Sequence, residues 1–449
     1  MQRVGQTEPE TKRDITKVAF ASFIGTTIEW YDFFLYGTAA ALVFNKLFFP
    51  EFDPAVGTLL SLLTFAMGFI ARPIGGIVFG HFGDRVGRKM MLFLTLTIGG
   101  LGTVLIGFVP TYASIGVWAP LLLVLMRLLQ GFAIGGEWGG AVLMAVEHAP
   151  AGRRGFYGSW PQTGVPLGLV LSSGVLGLFT RLPQADFLAW GWRVPFLLAI
   201  VLVAVGIWVR LSVAESPMFT KVKETNQESR VPLADAFRYH TKEILIAMGV
   251  RFAENGMFYI YSTFVVTYAT LVAKVPSGTI LAAVTTAALI EIFMMPSAGA
   301  LSDRLGRRPL YMAGAIWAGL VGFFFYSMIN TQQFWIMTAA VALGLLGHAT
   351  MYGPQASFLS ELFGTKVRYS AVSIGYQLAS VFAGGLSPVI ATALLQLNMG
   401  TTPIALYMMG LSAITVVSLL FAVETFRRDI APDEMGRLKG EAVERTSLA

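Results

Sequence analysis

Cysteine is missing from this chain of 449 residues, so disulfide frameworks and thiolate metal sites are both excluded. Charge is scarce as well. Asp, Glu, Lys and Arg make up 13% of the residues against 55% hydrophobic ones, whereas an ordinary soluble domain is about 25% charged. With a mean hydropathy of +0.66, water is excluded as the main solvent. Apolar runs such as 121–129 and 282–292 lack alternation. A membrane-spanning strand needs about 10 residues of alternating polarity, so a barrel is excluded and helices remain. No nucleophile–base pair, metal cluster or phosphate loop stands out, so the chain is not read as an enzyme and no cofactor is implied. The glycine-rich block at 80–89 follows no strand and is not a nucleotide loop. The basic residues carry no interleaved aromatic patch, which excludes a nucleic-acid interface.

What is present is a succession of long apolar stretches. A span needs about 20 predominantly apolar residues, and twelve stretches meet that length: 16–44, 57–80, 90–110, 117–147, 155–180, 190–213, 241–271, 276–300, 309–330, 333–360, 370–397 and 402–426. This predicts an all-α membrane protein. The 48 glycines and 20 prolines suit helices in lipid, where small residues let backbones approach and neighbours re-satisfy freed polar groups. The first stretch is too long and too polar for a signal-peptide core and is expected to be retained. Lysine and arginine accumulate on the cytoplasmic side of membrane proteins. With the N-terminus inside, that side receives 25 of the 32 Lys and Arg, and the outer side only Lys46, Arg181, Arg193 and Lys274. Both termini are therefore expected in the cytoplasm of a bacterial-type inner membrane. The net charge of +6 reports topology.

The longest polar interruption follows the sixth stretch. It divides the chain into a cytoplasmic tail (1–14), a six-helix bundle (15–213), a linker (214–240), a second six-helix bundle (241–426) and a second tail (427–449). The halves echo each other. Gly-His-Phe-Gly-Asp-Arg-Val-Gly-Arg-Lys at 80–89 matches Ala-Leu-Ser-Asp-Arg-Leu-Gly-Arg-Arg at 300–308, with Asp84 opposite Asp303. Glu147 and Arg154 likewise match Glu361 and Arg368, each set just before the fifth helix of its half. Duplicated halves are a recurrent plan of secondary transporters.

These blocks carry a resemblance. The 80–89 loop and its degenerate copy resemble the signature loop of the major facilitator superfamily. Five further blocks narrow it: Glu-Trp-Tyr-Asp-Phe-Phe-Leu-Tyr (29–36); Arg127-x-x-Gln130-Gly131 with Gly135-Gly136-Glu137-Trp138; Trp192-Arg193-x-Pro195-Phe196; Glu215-Ser216-Pro217-x-Phe219; and Tyr369 with Gly375-Tyr376-Gln377. Together they resemble the metabolite:proton symporters, over nearly the whole chain. The resemblance implies a fold of two pseudo-symmetric six-helix bundles, with helices 1, 4, 7 and 10 lining a central cavity. It also implies import of organic acids such as shikimate, 2-oxoglutarate or citrate, or of zwitterions such as proline and betaine. The first half is most similar to shikimate-type carriers, while Arg251-Phe-Ala-Glu-Asn-Gly departs from that pattern.

An Arg or Asp at the bilayer centre costs about 2.5–3.5 kcal/mol on insertion scales, so such residues face the protein interior and mark function. Nine titratable side chains fall within spans: Glu29, Asp32, Arg72, Arg127, Glu137, Arg251, Glu254, Glu291 and His348. All but Arg72 and Glu291 lie on helices 1, 4, 7 and 10. On helix 1, Glu29, Asp32 and Tyr36 share one face. A carboxylate of restricted solvation holds a proton more readily, which makes Asp32 the first proton-carrying candidate, then Glu29, with Glu254 on helix 7. The alternative for either helix 1 acid is a fixed pair with Arg72 or Arg127. Arg127 suits a bidentate substrate carboxylate, and its alternative is an interhelical tie. Substrate contacts are expected from Arg127, Tyr36, Gln130, Gln162, Arg251, Asn255, His348, Tyr352 and Gln377. Arg251 and Glu254 can also satisfy each other at i, i+3. His348 has no Cys or second His nearby, and no metal is implied. Three arginines oppose five acids, and an unpaired buried carboxylate takes up a proton instead of staying charged.

Gly80, Gly83, Asp84, Arg85, Gly87 and Arg88, with Asp303 and Arg304, form the expected gate, and Glu147, Arg154, Glu361 and Arg368 extend it. In the family resembled, this loop stabilises the outward-open state; the alternative is charge that only sets topology. The expected function is a monomeric, proton-coupled symporter taking a small organic acid across the lipid bilayer by alternating access. The alternatives are proton-coupled uptake of a zwitterionic osmolyte such as betaine or proline, and a ligand-binding transceptor without net transport.

Overall fold

The computed structural model describes residues 8–86, 88–147, 149–150, 152–212, 241–363, 368–397 and 399–427. Among them twelve helical rods follow one another. α1 is Glu8–Ala39, prolonged through a π turn at Ala40–Phe44; α2 is Pro54–Val86 and α3 Arg88–Phe108. α4 is Trp118–Ile134, resumed after a break as Trp138–Glu147, and α5 is Arg154–Phe179. α6 joins the π turn Phe187–Gly191 to Arg193–Ser212. α7 is Thr241–Tyr259 with a π turn at Ile260–Phe264 and Val265–Leu271 beyond it. α8 is Ser277–Leu305, α9 Arg307–Asn330 and α10 Phe334–Leu362. α11 is Arg368–Ala379, a π turn Ser380–Gly385 and Ser387–Gln396, and α12 is Thr402–Phe421.

Seven of these rods are long and apolar enough to cross a membrane by length and hydropathy alone, or eight when the bent α6 is one span. The others fall short for identifiable reasons. α1 and α7 carry the intramembrane charges Glu29, Asp32, Arg251 and Glu254, and α3 and α4 count as short apolar helices over Phe93–Phe108 and Trp118–Ile134. Rows of exposed apolar side chains across the bundle, from Leu121 and Leu125 on α4 to Phe293 on α8, present a hydrocarbon-facing surface. Trp118 and Trp335 are exposed at the first residues of α4 and α10, where indole rings sit at a membrane interface. The π turns of α1 and α7 repeat at nearly the spacing of the duplicated loops.

Within the first half α1 packs on α5, α2 on α4 and α3 on α6; within the second α8 and α9 pack on α10, and α7 on α12. The halves meet where α5 packs on α8 and α2 on α11. Small residues make these crossings close. A Cβ on Gly131 would run into the Gly68 carbonyl, and one on Gly155 into the Gly299 carbonyl, so no side chain fits at either crossing. Prolines stand inside α2 (Pro73), α5 (Pro161, Pro166), α8 (Pro296) and α10 (Pro354).

The α2–α4 crossing gives a stability test. Gly131→Ala is expected to destabilise the detergent-solubilised protein by about 1–3 kcal/mol, the cost of overpacking. Gly410→Ala, at a position with open space around it, serves as the control in thermal unfolding. Equal unfolding midpoints for the two variants would refute the tight crossing.

Candidate functional site

Two charged clusters form in the middle of the bundle, one in each half, with an aromatic partition between them. In the first half the α2–α4 crossing brings Arg72 and Arg127 together. Both are buried, at 1% and 0% exposure. Among the described residues neither makes an ion pair; instead both lie on rings. The Arg72 guanidinium carbon is 4.0 Å from the Phe33 centroid and 4.4 Å from that of Phe69, and the Arg127 carbon is 4.2 Å from the centroids of both Phe33 and Tyr36. Stacking on a ring quadrupole stabilises a desolvated cation by about 2 kcal/mol.

Arg127 is otherwise occupied within its own half. It donates to Gln130 Oε1 at 2.9 Å and to the Phe65 carbonyl at 3.5 Å, and Gln130 in turn donates to Thr103 at 2.5 Å. Asp32 lies beside Arg127 and Thr103, and one of its oxygens, Oδ1, has no hydrogen-bond partner. Tyr36 shares a 2.6 Å bond with Thr64 of α2. The Asp32 and Tyr36 side of α1 therefore turns toward α2, α3 and α4. The residues of α1 that face the second half are Trp30 and Phe34, which lie against Tyr259 and Phe258 of α7. Glu29 is buried on the same helix, and Glu137 is buried in the α4 break.

Arg72 differs from Arg127. Its Nε and Nη2 have no partner, and its charge reaches Tyr259 and Tyr376 of the second half. Near it, Trp30 Nε1 and the Tyr259 hydroxyl are also buried without partners, as are Asn255 Oδ1 and Gln377 Oε1 on α7 and α11. The partition itself is Phe69 edge-on to Tyr259 at 5.4 Å, and Trp138 stacked on Tyr376 at 3.6 Å. Side chains cross it at two places: Gln377 donates to the Gly135 carbonyl at the α4 break, and Gln162 to the Tyr352 carbonyl. The break at 135–137 sits where the Gln377 bond arrives.

The second half holds a continuous chain of polar contacts. Arg251 stacks on Tyr376 at 3.3 Å, pairs with Glu254 at 3.1 Å, and donates to Gln355 and Ser380. Gln355 donates to Glu254 and to Tyr311. His348 faces Glu254 at 3.4 Å with Nε2 and Glu291 at 2.5 Å with Nδ1. Tyr352 bonds Tyr376 at 3.2 Å. His348 and Tyr352, read from sequence as substrate contacts, are thus bound into this network. Glu291 was visible from sequence only as a charge within a span, Gln355 only by its spacing from His348 and Tyr352, and Tyr376 only within the Gly375-Tyr376-Gln377 block, while Tyr311 gave no signal among 14 tyrosines.

At the end of the bundle that carries the described termini, α5 and α8 are latched. Asp303 accepts from the backbone N–H groups of Gly155 and Phe156 at 2.8 and 2.9 Å, a carboxylate at a helix N-terminus. Arg307 holds Asp303 at 2.7 Å and Glu361 at 3.3 Å, and Glu361 accepts from Thr425. Ser357 donates to the Arg154 carbonyl. Arg304, expected in the gate, is exposed, and Arg307, buried one turn later, makes the contacts. Glu424 accepts from the N–H groups of Arg307 and Arg308, just after Gly306 with its φ of 100°. At the opposite end Gln396 donates to the Ala55 carbonyl, so side chains bridge the halves at both ends. Gly87 and the side chains of residues 80–81, 83–86 and 88–89, among them Asp84, Arg85 and Arg88, lie outside the described residues, as do those of Glu147 and Arg368.

Comparison with known proteins gives a consistent picture. The Major Facilitator Superfamily profile matches residues 22–388 and 276–441. The chain is 40% identical over 416 residues to the shikimate transporter of Escherichia coli K12, covering 92% of this chain and 95% of that one. It is 41% identical over 415 residues to the inner membrane metabolite transport protein YhjE of the same organism, covering 91% and 94%. It is 33% identical over 441 residues to the E. coli K12 proline/betaine transporter, covering 94% and 88%. Among solved structures, a D-xylose-proton symporter superposes with a TM-score of 0.69 at 20% identity, covering 91% of this chain and 97% of that one, which shows the fold.

The latch makes a direct prediction. Spin labels placed through Arg153→Cys and Arg304→Cys, both exposed on either side of the Asp303 contact, report the α5–α8 separation. Asp303→Ala removes charge-assisted bonds worth about 1.5–3 kcal/mol, enough to shift a two-state population about 10–100-fold. The distance distribution is expected to lengthen, and an unchanged distribution would contradict the latch.

Proposed function

The chain belongs to the major facilitator superfamily, and from that premise we propose that it is a proton-coupled symporter of a small organic acid. It is a multi-pass transporter and not an enzyme. In this reading it sits in a bacterial inner membrane with both termini in the cytoplasm. The halves 15–213 and 241–426 rock about the central partition, with 214–240 as their linker. Both charged clusters come from one chain, so a monomer suffices.

The observation that carries the substrate class is Arg72. A buried guanidinium with two unpartnered N–H groups, set between the halves, leaves a desolvation cost that a carboxylate offsets through a planar, two-bond contact. Trp30, Tyr259, Asn255 and Gln377 add donors and acceptors suited to hydroxyl groups. Arg127, already engaged by Gln130 and the Phe65 carbonyl, serves as the tie between α2 and α4 and as neighbour to Asp32. Glu29, Asp32 and Glu254 are the buried acids that the sequence offers for the coupled proton. Similarity to the shikimate transporter and to a proline/betaine transporter leaves two cargo classes. A quaternary ammonium is favoured by open aromatic faces, and here the Phe33, Phe69 and Tyr376 rings already lie under guanidinium groups. That favours the acid.

Proteoliposomes with an inward proton gradient test the reading. Shikimate and a panel of small carboxylic acids are expected to accumulate, and glycine betaine and proline are not; accumulation of the zwitterions alone would reverse the assignment. Within that assay Arg72→Gln is expected to raise the KM for the transported acid by about 10–100-fold, the equivalent of about 1.5–3 kcal/mol for a charged hydrogen bond. Arg72→Lys restores little, because an ammonium cannot reproduce the planar fork. An unchanged KM in Arg72→Gln would remove Arg72 from the binding site.

A further inference from the structure

We propose that the Glu291–His348 pair, between α8 and α10, is the site that binds and releases the coupled proton. This rests on the symport reading above and goes beyond it by moving the proton from helix 1 to the second half of the chain. Both residues are buried, at 0% and 2% exposure. Glu291 Oε1 is 2.5 Å from His348 Nδ1, and Glu291 Oε2 has no partner at all. The rings of Phe258 and Tyr352 lie against the imidazole, with centroids 4.2 and 4.9 Å away, and keep water from it in this conformation.

Within the second half, charge counting singles out the pair. Arg251 and Glu254 cancel each other across 3.1 Å. What remains is one carboxyl and one imidazole. Holding one proton, the pair is neutral overall, as imidazolium with carboxylate or imidazole with carboxylic acid. Without that proton it leaves a carboxylate with no counter-ion among hydrocarbon and rings, which is costly. The pair therefore gives up its proton only when one end of the bundle opens to water, and takes up another before closing. The other groups facing it do not compensate. α7 presents Glu254 with Arg251, α9 presents the Tyr311 phenol, α10 presents Tyr352 and Gln355, and α11 presents Tyr376. Asp32 stands in a different balance, beside Arg127, which also feels Arg72.

The contact chain also links proton to cargo. His348 touches Glu254, Glu254 holds Arg251, and Arg251 lies on Tyr376 and donates to Ser380. Asn255 and Gln377, the residues next to Glu254 and Tyr376 in the chain, carry buried oxygens without partners. Loss of the proton strands negative charge at one end of this chain and draws Arg251 toward it, which disturbs the α7–α11 face that meets the substrate.

Shikimate is the probe, in proteoliposomes with the membrane potential clamped at zero. One coupled proton sustains an about tenfold accumulation for a gradient of about one pH unit. Glu291→Gln, which is neutral beside a neutral imidazole, is expected to abolish accumulation and keep shikimate counterflow at equal pH, and the Glu291→Gln/His348→Gln double variant is expected to behave alike. Gradient-driven accumulation by Glu291→Gln equal to that of the unaltered protein overturns the proposal. A second measurement needs no substrate: nitrogen NMR of the protein labelled at its 4 histidines, with His348→Gln identifying the resonance. The His348 signal is expected to titrate and its titration to change in Glu291→Gln. A His348 signal indifferent to both pH and Glu291→Gln overturns the proposal even if shikimate is not transported, whereas absent shikimate uptake with a Glu291-dependent titration overturns only the cargo.

Discussion

Ionised groups surrounded by hydrocarbon must be neutralised, stacked or wetted, and this one requirement organises the centre of the protein. The two halves meet it in different ways. In the first, Arg72 and Arg127 lie on the rings of Phe33, Phe69 and Tyr36, where the ring quadrupole replaces part of the lost hydration. In the second, Arg251 is embedded in a chain of side chains that runs through Glu254 and His348 to Glu291. Unpartnered groups remain in both, Arg72 Nε and Nη2 with Asp32 Oδ1 in the first and Glu291 Oε2 with Arg251 Nε in the second. In the proposed reading Arg72 receives the anion and Glu291 the proton.

The backbone is shaped to bring these clusters to the same level. Glycine crossings let α2 approach α4 and α5 approach α8 until carbonyls of one helix fill the space a Cβ would need on the other. The α4 break at Gly135 and the π turns of α1, α7 and α11 interrupt regular bonding close to the partition. In lipid such interruptions persist only where protein re-satisfies them, and Gln377 does so at Gly135. The α5–α8 latch through Asp303 and the Gln396–Ala55 contact close the two ends of this space in the present conformation.

Helix type and the duplicated plan were legible in the sequence because they depend on length, hydropathy and repeated loops. Asp303 stands out in the sequence as the partner of Asp84 in a repeat, and its carboxylate lies at the start of α5. Arg304 was preferred to Arg307 because the two are alike in composition, and only the helix start after Gly306 decides which one turns inward. The pairing of Arg251 with Glu254 followed from i, i+3 spacing. The stacking of Arg72 did not follow, since spacing along α2 says nothing about the ring of Phe33 on α1. The direction of the Asp32 face was likewise hidden: periodicity places Glu29, Asp32 and Tyr36 on one side of α1 and leaves open which neighbours that side meets. Glu291 and His348 lie 57 residues apart, on different helices, and no local pattern joins them.

The central claim, that the polar residues of the partition face a chamber water enters while the outer apolar surface faces lipid, is most directly tested by thiol chemistry in a chain without native cysteine. A charged methanethiosulfonate reagent reacts with a thiolate, which forms in water and not in hydrocarbon. Gln377→Cys is expected to react and to be protected by shikimate, while Phe293→Cys, 74% exposed on the outer surface, is expected to stay unmodified. Rapid modification at position 293 together with silence at position 377 would contradict the account.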